Sequence, residues 1–232
     1  MNRFYQQPKI WQWTITSFML VIAVALIILW MWLMIQSNFY FLLIFLYVPA
    51  FQFLLSPLFT LIGMYKYLSP MLLAYAPNPK KYDLHNGTSF DYLFLYQKGT
   101  RGYLWQSILL KYYLDGLLAI VQELEEEKIP ESIVIRGSSY FFSERTAQKL
   151  GFELRSTGFA EKLNIIANYL DLLWMYSLSK GRLRFPRLNN VKTAQTTGAN
   201  LKEKKEELLN LKFFIEHRIS SERKKVKFHH DQ

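Results

Sequence analysis

The sequence contains no cysteine, and it contains no charged residue between positions 10 and 65. The first absence excludes disulfide bonds, cysteine-ligated zinc and a thiol nucleophile. The second leaves an uncharged run of 56 residues. Such a run is long enough to cross a bilayer twice, because one spanning helix needs about 20 apolar residues. We therefore predict that this quarter of the chain folds in lipid.

The uncharged run divides at a short polar patch, residues 36–38. We predict one span over residues 13–35 and a second over residues 39–65, with Pro49 and Pro57 bending the second helix. A cleaved signal peptide is the alternative for the first span. Its apolar run exceeds the usual 7–15 residues and a second span follows at once, which favours a membrane hairpin.

The cations that flank the hairpin predict its orientation. Arg3 and Lys9 precede it, Lys66, Lys80 and Lys81 follow it, and the connecting loop has none. Positive charge at both ends places both termini in the cytoplasm. We expect an integral protein of a plasma or cell inner membrane, with a cytoplasmic tail at residues 1–12 and a transmembrane helical hairpin at residues 13–68.

The formal net charge is +10, and Arg3 and Lys9 supply two of these charges, so eight belong to the chain after the hairpin. Anionic lipid headgroups and nucleic acid are the two partners that a basic domain attracts. We expect lipid headgroups, because the domain is already held at a membrane surface, where each nearby cation contributes about 1 kcal/mol. Nucleic acid is the less favoured partner.

The pattern after the hairpin predicts a small cytoplasmic α/β domain over residues 80–180, with three or more strands in an at least partly parallel sheet. Residues 71–76 are too short to cross a bilayer and are expected at its surface. The last helix of the domain packs in its core or lies against the bilayer. The predicted elements are a strand at 90–96, a helix at 103–128, a strand at 132–136, a helix at 144–150, a strand at 152–156 and a helix at 163–179.

The C-terminal part divides into a polar stretch and a helix. Residues 181–199 have the composition of a linker with a basic start. Residues 200–232 are predicted as a basic amphipathic helix and tail, opened by Asn200 with Glu203 at the third position. Its apolar seam could dock on the domain, on a second copy or on a partner.

One loop has a physical argument for ligand binding. Gln97, Lys98, Gly99, Arg101 and Gly102 are its candidate residues, and the loop connects a predicted strand to a predicted helix. Free N–H groups at a helix start and nearby cations attract a phosphate or carboxylate. The loop lacks the Gly-Lys-Ser/Thr ending of a P-loop, and its glycine spacing is not that of a dinucleotide fingerprint.

The same loop resembles the Gln/Arg-x-x-Gly-x-Gly/Ala pyrophosphate loop of the GNAT acetyltransferases, although its pattern is Gln-x-Gly-x-x-Gly. Residues 144–152 resemble the late GNAT helix that ends in a Lys-x-Gly-Phe-type turn into a strand. Together the two resemblances cover about residues 97–153. They imply acetyl-CoA binding, with Gln97, Gly99 and Gly102 at the cofactor phosphate, and they assign no acid or base.

The sequence thus leads to two functional hypotheses. The first is an integral membrane protein whose cytoplasmic α/β domain is an interaction or assembly module for a protein partner or a second copy. The alternative is a membrane-tethered GNAT-like acyltransferase, or another enzyme that binds a CoA or phosphate ligand through the 97–102 loop. No catalytic residue, metal site or resident cofactor is indicated. His85, near Asp83 and Asp91, is expected to be a solvated turn histidine.

Overall fold

The computed structural model describes residues 2–96, 100–138, 144–186 and 192–230. A short 3-10 helix, Arg3–Gln6, precedes helix α1, Lys9–Gln36, and a second 3-10 segment, Asn38–Leu43, leads into α2, Ile44–Leu61. At the loop end, the Trp30 indole N–H donates to the Tyr40 carbonyl at 3.0 Å, and the Trp30 ring stacks on Tyr47. Helices α1 and α2 therefore pack as the predicted hairpin.

By length and composition, three helices of the described chain could cross a membrane. Only 11% of the apolar window is buried in α1 and in Asn38–Leu61, whereas 56% is buried in the third, Tyr103–Glu125. The third is α4, a core helix of the following domain. The described protein therefore covers most of the apolar surface of α4 but leaves most of the apolar surface of the two N-terminal helices exposed.

The domain after the hairpin contains a mixed six-stranded sheet among the described residues, with strand order β1-β2-β3-β4-β6-β5. Strands β3 and β4 are parallel, from the pair Lys81–Val134 to the pair Leu84–Gly137, and the other neighbours are antiparallel. This confirms the mixed α/β class. The strands are β1, Tyr65–Ser69; β2, Leu72–Asn78; β3, Lys81–Asn86; β4, Val134–Ser138; β5, Glu153–Ser156; and β6, Lys192–Thr197.

Helices connect these strands and cover the sheet. Helix α4 packs on one sheet face, and α9 packs on α4 through the buried Leu208, Ile215 and Ile219. The C-terminal seam therefore docks on the chain's own domain. The remaining helices are α3, Ser89–Leu95; α5, Glu144–Lys149; α6, Phe159–Ala167; α7, Tyr169–Lys180; α8, Gly198–Glu203; and α9, Lys205–His230.

The strand prediction at residues 90–96 is wrong, because this segment is helix α3. Aromatic residues favour strands, but Thr88 and Asp91 form a capping box that starts a helix. The helix buries Phe90 and Tyr92, which face the hairpin and α4. Local capping and burial on two sides therefore override the strand propensity.

Three other stretches differ from expectation. Residues 72–76 of the stretch expected at the bilayer surface belong to strand β2, Met71 lies in the turn before it, and β1 starts at Tyr65 with only a short turn after α2. Strand β6 lies within residues 181–199, the expected linker. In the sheet, β6 is an inner strand, and its Ala194 and Thr196 are buried while the alternate residues stay partly exposed. Because only one face of the strand is buried, a mostly polar composition is compatible with this inner position. The helix expected at 163–179 is divided into α6 and α7 at Asn168.

The hairpin is tied to the sheet domain by a buried polar cluster. Asp91 accepts hydrogen bonds from the Asn2 side-chain amide at 2.7 Å, from the Tyr67 hydroxyl at 2.8 Å and from the Thr88 backbone N–H at 2.8 Å. Phe4 packs edge-on against Phe90 beside them. We call Asn2, Phe4, Tyr67, Thr88 and Asp91 the N-terminal latch. It fixes the start of α1 to α3 and β1.

Candidate functional site

The described part of the candidate loop is tied to helix α7. Gln97, Lys98 and Gly99 lie outside the described residues. Gly102 precedes α4 with φ +65°, and its N–H donates to the Leu178 carbonyl at 2.9 Å. This amide is therefore already used within the protein. Arg101, next to it, is exposed.

Two glycines allow the loop and the end of α7 to cross closely. Gly181 also has positive φ, +69°, and a Cβ built on it would lie 3.2 Å from the Gly102 Cα. Glycine is suited to both positions because it adopts positive φ without strain. The crossing brings the neighbouring residues Arg101 and Arg182 into the lining of the same cavity.

That cavity is an open, mostly apolar groove of about 860 Å³ between α2, α3 and α7. We call it the arginine groove, defined by Phe53, Tyr92, Leu93, Arg101, Trp174 and Arg182. The Tyr92 and Trp174 rings meet edge to face at 5.1 Å between centroids. Among the described residues that line it, none is acidic. An apolar wall with two arginines among its lining residues suits a ligand that has a hydrocarbon part and an anionic head.

A second cavity, of about 500 Å³, lies between α2, the sheet and the α6–α7 pair. We call it the polar cleft, defined by Gln52, Tyr65, Tyr75, His85 and Asp171. The register pairs Tyr65 with Tyr75 and Leu73 with His85, so these side chains share one sheet face. Gly116 of α4 lies against Leu72, which points to the opposite face. The polar cleft and α4 are therefore on opposite sides of the sheet.

His85 lies at the end of β3 and lines the polar cleft, with its ring edge-on to Tyr75 at 6.0 Å. Desolvation by the surrounding protein lowers the pKa of His85 below 6.5; the positive Arg136 and Lys81 also lower it, and Asp83 opposes them. Since the imidazole is then neutral at pH 7, it can accept a proton. The His85 side chain is nonetheless exposed, as expected of a solvated histidine, although it lies at the end of strand β3 and not in a turn.

The two acids near His85 in the sequence have other partners. Asp83 pairs with Lys81 at 2.5 Å and with Arg136. Burial of the Asp83 carboxyl by itself would raise its pKa. The hydrogen bonds and positive charges of Arg136 and Lys81 together outweigh burial and hold the pKa of Asp83 below its usual value. Asp91 belongs to the N-terminal latch.

Asp171 forms the wall between the arginine groove and the polar cleft. One of its carboxylate oxygens accepts from the Ser89 hydroxyl at 2.5 Å and from the Trp174 indole N–H at 3.0 Å. Burial raises the pKa of Asp171. Ser89 and Trp174 line the groove and Asp171 lines the cleft, so these hydrogen bonds join the two cavity walls.

The sequence did not identify Arg182, Trp174 or Asp171 as site residues. The Gly181-Arg182 pair was readable as a helix end followed by a cation, but its meeting with Gly102 depends on tertiary packing. Within the described ranges, no group of three or more His, Asp or Glu side chains could hold a metal ion.

Comparison with known proteins finds no matching family model, no matching curated protein and no matching solved structure. The function is therefore inferred from the hairpin, the arginine groove and the polar cleft.

Proposed function

We propose that the chain is a membrane-anchored protein that binds an anionic amphiphile in the arginine groove. The observation that carries this proposal is that Arg101 and Arg182 line the same groove as an apolar wall that includes Phe53 of α2. The wall suits a hydrocarbon chain, and the two guanidinium groups suit a phosphate or carboxylate. The contribution of α2 places this site next to the hairpin.

Membrane anchoring is the first part of the proposal. Large apolar side chains are exposed on α1 in several directions, since the consecutive residues Ile27, Ile28 and Leu29 are all exposed. Leaving so much apolar surface in water would favour aggregation, whereas lipid would cover it. The orientation with both termini in the cytoplasm of a plasma or inner membrane is kept as a prediction. Protease protection in sealed vesicles tests it, and cleavage of residues 80–232 from the outer side would contradict it.

A long-chain acyl-CoA is the ligand that we propose first. The GNAT resemblance implies CoA at the loop before α4, and Arg101 of that loop lines the groove. The second part of the resemblance lies on α5, which leads through Gly151, at φ +79°, into β5. Strands β3 and β4 form the parallel pair of the sheet. In α/β sheets, ligands bind outside the carboxyl ends of parallel strands, and the chain leaves the carboxyl end of β3 through α3 before it reaches Arg101.

Acyl transfer is the reaction that fits such a ligand if its thioester reaches past Asp171, which separates the arginine groove from the polar cleft. The neutral imidazole of His85 would take a proton from the nucleophilic N or O atom of an acceptor. That atom would attack the thioester carbonyl, the carbon–sulfur bond would break, and the proton would pass to the leaving thiolate. His85 is the residue of the cleft that we propose as this proton acceptor.

Binding of palmitoyl-CoA to the full chain in lipid nanodiscs tests the proposal. We expect saturable binding that is at least tenfold tighter than that of CoA alone, because the groove buries the chain. The double variant Arg101→Ala/Arg182→Ala should weaken binding by about 100-fold, at about tenfold for each charge-assisted contact. Arg184→Ala is the matched control, since Arg184 is exposed nearby and does not line the groove. Equal loss in the double variant and the control would refute the site.

An assembly module is the second candidate, and exposed phenylalanines on α9 favour it. Phe213 is 74% exposed and Phe214 is 56% exposed, although the opposite face of α9 is buried on α4. Exposed apolar patches of this kind mark protein interaction sites. In mild detergent, we expect a defined oligomer or a stoichiometric partner, and Phe213→Ser/Phe214→Ser should release it. A wild-type monomer without a partner would contradict this candidate.

A further inference from the structure

Helices α6 and α7 carry an apolar stripe that the described chain leaves partly exposed. Its spacings of four, three, four and four residues place it on one face of nearly continuous helices. The exposed fractions range from 36% at Leu170 to 78% at Phe159. We call this set the interfacial stripe. Its members are Phe159, Leu163, Ile166, Leu170 and Trp174.

The stripe is continuous with the hairpin. Helices α6 and α7 contact α2, and Phe53 of α2 lines the arginine groove together with Leu170 and Trp174. Phe53 lies eight residues before the last residue of α2, Leu61, which is about 12 Å along the helix axis. The domain therefore packs beside α2 and not beyond its end, so α7 lies at a depth that the hairpin itself occupies.

Cations and further apolar side chains flank the stripe. The Arg184 N–H donates to the Ser177 hydroxyl oxygen at 3.1 Å, and this hydroxyl donates to the Arg184 carbonyl, which folds residues 182–185 back on α7. Leu183 and Phe185 of this segment are exposed, and so are Arg182 and Arg184. An apolar face edged by arginines is typical of helices that lie in the interface of an anionic bilayer.

We propose that α6, α7 and residues 182–185 lie in the headgroup region of the bilayer that holds the hairpin. The partner of this surface is an anionic lipid bilayer, because the arginines complement its charge and because α2 sets the depth. A second protein copy would have to take the place of lipid beside α2. The arginine groove then opens towards the membrane. This inference rests on the proposed membrane anchoring, but it does not depend on the ligand.

The absence of cysteine allows a direct test with single-cysteine variants of the full chain. Leu163→Cys and Ile166→Cys place a probe in the stripe, Lys162→Cys places one at an exposed neighbouring position, and Val21→Cys reports on α1. Each is labelled with an environment-sensitive nitrobenzoxadiazole dye in vesicles of four parts phosphatidylcholine to one part phosphatidylglycerol. We expect lipid-borne nitroxides to quench positions 21, 163 and 166, and iodide to quench position 162.

The outcomes separate this inference from the membrane anchoring. Quenching of Val21→Cys by lipid nitroxides together with iodide access at Leu163→Cys and Ile166→Cys would overturn the inference and leave the anchoring intact. Iodide access at all positions would refute the anchoring itself. A third result would also overturn the proposal: if Leu163→Cys were protected from iodide, were not quenched by lipid nitroxides and crosslinked between copies, the stripe would belong to a dimer interface. All four positions are exposed, so the substitutions should leave the melting temperature unchanged.

Discussion

Replacement of Asp91 by alanine should separate the start of the chain from the sheet domain. The Asp91 carboxylate is fully buried and accepts from four donors: the Asn2 amide, the Tyr67 hydroxyl, and the backbone N–H and hydroxyl of Thr88. Alanine would leave these donors without an acceptor in a site that water does not reach.

The magnitude follows from the opposing effects at this site. A buried donor that loses its acceptor costs about 1–3 kcal/mol. Desolvation raises the pKa of Asp91, which shows that burying this carboxylate itself costs free energy, so its removal offsets part of the loss. We expect Asp91→Ala to lower the free energy of unfolding by about 3 kcal/mol, near the low end for breaking a buried charged contact. For a chain of 232 residues, this corresponds to a melting temperature lower by about 6–12 °C.

Thermal unfolding in detergent, followed by circular dichroism, measures this effect. Asp91→Asn keeps one carbonyl acceptor and should cost about half as much. Glu131→Ala is the surface control, because its ion pair with Lys202 is more than one-third exposed on each side and should contribute less than about 1 kcal/mol. A melting temperature for Asp91→Ala within 1 °C of that of Glu131→Ala, on the order of assay error, would show that the latch does not hold the two parts together.

Three further predictions concern the core, the C-terminal helix and the polar cleft. Gly198→Ala should lower stability by about 2 kcal/mol, because its Cβ would lie within 3.0 Å of Leu124, Ile133 and the Glu131 carbonyl oxygen; an unchanged melting temperature would contradict this packing. Ile215→Ala should cost about 2–5 kcal/mol, since Ile215 is 2% exposed, whereas Phe213→Ala should stay within about 0.5 kcal/mol, and equal effects would mean that α9 is not docked. The His85 ring should titrate below pH 6.5 by NMR. Its stabilising contribution is then present above about pH 6.5 and is lost as pH falls through the lowered folded-state pKa, so a titration at or above 6.5 would show that the surrounding protein does not desolvate the imidazole.

Strong local signals gave the parts of the fold that the sequence predicted correctly. The uncharged run of residues 10–65 predicted two long apolar helices. The 3.6-residue period of α4 and the apolar seam of α9 predicted helices that the structure contains. Period and composition report which side of an element is apolar, and they do so without knowledge of the partner.

The errors have a common physical origin in contacts between distant residues. Residues 90–96 have strand propensity, yet their burial against Phe4 and the hairpin makes a helix the better state. Strand β6 is polar by composition and becomes an inner strand because β4 and β5 supply its hydrogen bonds. The site shows the same dependence, because Arg101 was readable in its loop while Arg182, Trp174 and Asp171 joined it only through the packing of α7.

The sequence by itself determined that the first quarter of this protein consists of two long apolar helices and that a mixed α/β domain follows them. It could do so because hydrophobicity and periodicity are properties of neighbouring residues. Only the tertiary structure decided that Asn2 meets Asp91, that Gly102 crosses Gly181, and that α6 and α7 lie beside α2. These contacts join residues far apart in the chain, so their free energies are gained only when the whole domain packs.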